Sequence, residues 1–111
     1  MIRINNINSW LEDNSKNNEY VYVCNLTECH KPLIRVYTIV DVVREDGKIK
    51  IYFGNDRGNS LTAKKFLKLS QDFVNEEVVL IDTDNGNSIV EIKEYKSIPK
   101  NYRTNIHLIM Y

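Results

Sequence analysis

The stretch Ser60–Tyr95, SLTAKKFLKLSQDFVNEEVVLIDTDNGNSIVEIKEY, reads as a capped helix, a strand, a tight turn and a second strand. Thr62 suits an N-cap, because its hydroxyl can accept a hydrogen bond from a free backbone N–H of the first turn. Leu61 and Phe66 have the spacing of a hydrophobic staple. Phe66, Leu67, Leu69 and Phe73 give a helical apolar stripe, with Lys64, Lys65 and Lys68 largely outside it. Val78, Val79, Leu80 and Ile81 form a short run rich in β-branched residues, which suits a buried strand. Asn85-Gly86 is favoured in a type I′ hairpin turn, whose two central residues need positive φ. After it, Val90 and Ile92 alternate with Glu91 and Lys93, as in a strand with one wet face.

The preceding residues repeat this plan. Asn6 is placed to cap a short helix carrying Ile7, Trp10 and Leu11, which should end near Asp13 because Asp, Asn and Ser follow. Strands are expected over Glu19–Cys24, Leu33–Val43 and Lys48–Phe53. Asp46-Gly47 is a hairpin signal; a two-residue turn there sets Glu45 opposite Lys48, Val43 opposite Lys50 and Asp41 opposite Tyr52. Ser97–Thr104 contains Pro99 and reads as a loop before a closing strand, Ile106–Tyr111. A shift of about 56 positions lays Trp10 on Phe66, Leu11 on Leu67 and Ile49 close to Ile106, which suggests tandem pseudo-repeat halves, 1–56 and 57–111. The expected fold is α+β: one domain with a bent antiparallel sheet of about six strands and two short helices, in a tandem α-β-β-β arrangement.

The chain has 111 residues and is 42% apolar, enough for one compact core. Its 15 basic and 15 acidic residues cancel, which argues against a strongly basic nucleic-acid coat and against a wholesale polyanion mimic. No run of about 18 apolar residues is present and the N-terminus lacks a secretory core, so no membrane association and a cytoplasmic location are expected. Two cysteines make no disulfide framework.

Residues 60–95 also resemble small helix-plus-hairpin accessory proteins of phages and integrative elements of low-GC Gram-positive bacteria. The resemblance rests on Leu61-Thr62, Phe66-Leu67, Val78–Asp82 and Asn85-Gly86. These motifs are structural and bring no catalytic residues with them. The resemblance implies a genetic setting in which some proteins inhibit host defences.

Cys24, Cys29 and His30 form a C-x4-C-H cluster, with His107 a distant fourth candidate ligand. Zinc wants four N or S ligands, and this spacing is not that of a standard finger, so no metal is expected. Asp82–Gly86 resembles the start of a calcium loop, but its glycine comes one place early and the closing Glu is absent. No phosphate loop, dinucleotide fingerprint or nucleophile elbow is present, so neither enzymatic activity nor a cofactor is expected.

The seven tyrosines are more informative. Strict alternation puts Ile34, Val36, Val40 and Val42 on a core face with Ile49, Ile51 and Phe53. Arg35, Tyr37, Lys50 and Tyr52 then share the opposite face, as a partner-binding surface unless the other half of the chain covers it. Tyr and Arg are enriched at interfaces, and aromatic side chains beside cations also stack bases. The expectation is a non-enzymatic protein that occupies a site on a host protein or nucleoprotein complex, as an anti-CRISPR-like inhibitor does. The competing readings are a nucleic-acid-binding module using that basic, aromatic face, and a small enzyme.

Overall fold

The computed structural model describes residues 1–28, 34–55 and 58–111. In chain order the elements are α1 (Ile4–Asn14), β1 (Val21–Cys24), β2 (Val36–Glu45), β3 (Lys48–Gly54), α2 (Ala63–Ser70), β4 (Val78–Asp82), β5 (Ser88–Glu91), β6 (Glu94–Pro99) and β7 (Asn105–Met110). The strands form one seven-stranded sheet in the order β5-β4-β3-β2-β1-β7-β6.

Helix α2 starts as its sequence dictates: the Thr62 hydroxyl accepts the Lys65 N–H at 3.2 Å, and Leu61 and Phe66 are both buried. In α1 the Asn6 side chain accepts the Arg3 N–H from inside the first turn, so Arg3 rather than Asn6 holds the cap position. Ile4, Ile7 and Leu11 of α1 join Ala63 and Phe66 of α2 in one core with Val21, Val23, Ile39, Val42, Ile49, Ile51 and Leu80. Both helices therefore cover the same face of the sheet. Cys24, Leu108 and Met110 form a separate buried cluster on the reverse face, at the β1–β7 end.

The sheet is mixed, not antiparallel, and it has seven strands, not about six. A helix separates β3 from β4, and they pair parallel, as strands joined by a crossover do. β7 returns beside β1, also parallel. The additional strand is β6, which pairs antiparallel with β7 from Glu94↔Met110 to Pro99↔Asn105. Pro99 suggested a loop, but it ends an edge strand, where a missing N–H is tolerated. The first half is a three-stranded meander, whereas the second half contributes β4–β5 to one edge and β6–β7 to the other.

The Asp46-Gly47 turn takes positive φ at both residues and produces the expected Glu45↔Lys48, Val43↔Lys50 and Asp41↔Tyr52 pairs. The expected two-residue turn at Asn85-Gly86 is instead a longer loop. A 3-10 turn over Thr83–Asn85 precedes positive φ at Gly86 and Asn87, and pairing resumes at Asp82↔Ser88. The Asp82 carboxylate accepts the Asp84 N–H at 3.1 Å, which stabilises that extra turn.

Candidate functional site

β2 carries a bulge, and the bulge decides which side chains share a face. Below it the register is the one the turn sets, Val42↔Ile51 and Asp41↔Tyr52; above it, Ile39 pairs with Phe53 and Thr38 with Gly54. One residue, Val40, is extra, so the alternation reverses there. Ile39 is buried and Val40 is 44% exposed. The displaced backbone groups find side-chain partners. The Ser60 hydroxyl accepts the Ile39 N–H at 2.8 Å and donates to the Val21 carbonyl, and Asp41 accepts the Val42 N–H at 2.8 Å.

This reversal divides the four residues expected to act together. Tyr37 lies on the helix-covered side, half-buried against the main core, with its ring 5.8 Å from that of Phe53. Arg35 is exposed and its guanidinium sits 5.3 Å from the Tyr37 ring centre. Lys50 and Tyr52 lie on the reverse face, where they pair laterally with Val79 and Ile81 of β4. The assignment of Tyr37 to the same face as Tyr52 is thus corrected: strict alternation cannot see an inserted residue.

Cross-strand rows define the reverse face at this end of the sheet. One runs Asp41, Tyr52, Ile81, Ile89; the next runs Val43, Lys50, Val79, Glu91. Among the described residues no helix covers these rows. Ile89 is 65% exposed, and it and Val40 are two of the large apolar side chains left in solvent. The two lysines here are already paired, Lys50 with Asp46 at 3.1 Å and Lys48 with Glu77 at 3.6 Å. The Tyr52 hydroxyl donates to Glu45 at 2.9 Å; this bond, then burial, pushes the phenol up, while the Asp46 carboxylate raises the Lys50 ammonium. Asp41 and Glu91 add further negative charge. Val79 and Ile81, in the middle of the rows, are buried, so what this face offers to solvent is half-buried Tyr52 with Val40 and Ile89, and carboxylates around them.

A second constellation escaped the sequence reading because its members lie far apart in the chain. Glu19, in the α1–β1 connection, accepts His107 Nε2–H at 2.9 Å, and His107 Nδ1 is 2.7 Å from the Ser97 hydroxyl. Burial alone would push the Glu19 carboxyl up. The Asn105 and Lys16 N–H groups, at 2.7 and 2.8 Å, together with His107, outweigh it and hold the carboxyl below the usual range. The carboxylate takes Nε2–H, and Nδ1 and the Ser97 hydroxyl share the second hydrogen bond of the ring. The imidazole is fully buried, with Trp10 edge-on at 5.8 Å. The arrangement ties the α1–β1 connection to β6 and β7.

His107 therefore does not meet Cys24. His107 shares the helix-side core and Cys24 the reverse cluster, and both His107 nitrogens are engaged. Cys29 and His30 lie outside the described residues, and among the described residues no group of acidic, His or Cys side chains is placed to hold a metal.

A pocket of about 200 Å³ opens beside Glu19, at the end of the β6–β7 hairpin. Asn18, Tyr20, Lys100, Thr104 and Asn105 also line it. No helix of the described residues is long and apolar enough to cross a membrane. No family model, no curated protein and no solved structure matches the chain.

Proposed function

We propose that the protein works by binding, without catalysis, and that it occupies a site on a host protein or nucleoprotein complex through the face of β2–β5 opposite the two helices. One observation carries this reading: both helices pack on the other side of the sheet, and among the described residues Val40 and Ile89 are exposed beside half-buried Tyr52, around the buried Val79 and Ile81. Tyr52 supplies rigid aromatic area at small entropic cost. The surrounding carboxylates of Asp41, Glu45 and Glu91 favour a basic protein surface and disfavour direct contact with phosphates. Charge thus favours a protein partner over the nucleic-acid module. Lys50 and Tyr52 remain in the proposed site; Arg35 and Tyr37 form a separate pair on the other side of the strand.

The resemblance carried by Leu61-Thr62, Phe66-Leu67 and Asn85-Gly86 supports a role in a phage or mobile element, inside the cytoplasm, against a host defence nuclease. The test is expression in a low-GC Gram-positive host with an active nuclease-based defence, scoring plasmid transformation. The expected result is relief of interference by the native chain and loss of relief with Ile89→Asp. An unrelieved host at high expression of the native chain argues against the anti-defence role.

A further inference from the structure

The pocket at the end of the β6–β7 hairpin is a second, chemically different surface. We propose that it binds a nucleoside phosphate, with the base inside and the phosphate at the rim. At about 200 Å³ it is smaller than the ~300–1,000 Å³ of drug-sized sites, so it takes a group the size of one ring system. Asn18, Asn105, Tyr20, Thr104 and Lys100, which line it, carry two side-chain amides, two hydroxyls and an ammonium. Among the described residues none of these side-chain groups has a hydrogen-bond partner. Asn105 lends only its backbone, to Glu19. Carboxamides present a donor and an acceptor together, which matches the mixed edge of a heterocyclic base. Half-buried Tyr20 and Ile106 provide aromatic and apolar lining.

The charge distribution orients the ligand. Glu19, buried and ionised, repels a phosphate from the floor, while Lys100 is exposed at the rim. Beyond the rim, Asn101 accepts the N–H groups of Arg103 and Thr104 at 2.9 and 3.0 Å and fixes the hairpin tip. That tip holds Tyr102, 89% exposed, with the Arg103 guanidinium 5.1 Å from its ring centre. An aromatic ring and a cation next to a base-sized pocket suit a neighbouring nucleotide of a single strand. The same chemistry is offered by a free mononucleotide.

The test is an amide-resolved NMR titration of the full chain with AMP, CMP, GMP and UMP, with a ten-nucleotide single-stranded RNA, and with inorganic phosphate. Shifts centred on Asn18, Tyr20 and Asn105 are expected. Lys100→Ala, at an exposed position, should weaken binding about tenfold, as should loss of the ring in Tyr20→Ala. Tyr20→Phe keeps the ring and should retain most of the affinity. Equal response to mononucleotides and strand identifies a free nucleotide as ligand. A response to the strand alone, lost in Tyr102→Ala, identifies single-stranded nucleic acid. No response at these amides, or the same response to inorganic phosphate, overturns the proposal.

Discussion

Ser60 holds together two backbone groups that the strand ladder leaves unpaired. Its buried hydroxyl accepts from Ile39 N–H and donates to Val21 carbonyl, where β1 and β2 part. Removing it strands a buried donor and a buried acceptor, so Ser60→Ala should cost about 1–3 kcal/mol in urea unfolding. Glu19 is the corresponding ionic residue. Its folded-state carboxyl lies below its unfolded value, so its stabilisation is fully present above about pH 4.5 and is lost as pH falls through the folded value. Glu19→Gln should therefore be less stable than the native protein at pH 7. The gap should narrow as the pH falls toward 3, and a constant gap across that range would show that the carboxylate charge is not what stabilises. Neither role was legible in the sequence. Ser60 stands in the sequence only as the residue that opens the capped-helix stretch, with nothing to link it to Val21 or Ile39, and Glu19 meets His107 only because β7 returns to lie beside β1.

Among elements, α2 and the β2–β3 turn were the most legible. Thr62, the Leu61–Phe66 pair and Asp46-Gly47 act within a few residues of themselves, so local chemistry determines them. The β2 bulge was not legible, because it depends on Ser60 and Asp41 satisfying the amides that it frees. It inverts the expected burial of two adjacent residues: Ile39 is 1% exposed and Val40 44%. Val40→Lys should alter stability by less than about 0.5 kcal/mol, while Ile39→Lys should cost more than about 4 kcal/mol by burying an unpaired charge. Urea midpoints of the two variants check this directly. A larger loss for Val40→Lys would restore the uninterrupted alternation and return Tyr37 to the face of Tyr52.

For the whole molecule, the helix and strand patterns indicated an α+β fold, but the order of strands rests on long-range pairing that no local pattern encodes. The parallel β1–β7 contact and the edge position of β6 follow from where the chain returns, not from the residues of either strand alone. That order gives the protein its two unlike surfaces: an acidic, aromatic face on β2–β5 and a hairpin end carrying Lys100 and Arg103. The proposed partner binds the first of these. Site-specific photocrosslinking tests this most directly, with benzoylphenylalanine at exposed Ile89 on the face opposite the helices and, in a parallel protein, at Leu69 on the helical side, both in host cells. The account predicts one discrete crosslinked protein from position 89, none from position 69, and loss of the first product when Tyr52→Ala is added. The same product from position 69, or a product from position 89 that is indifferent to Tyr52, would contradict it.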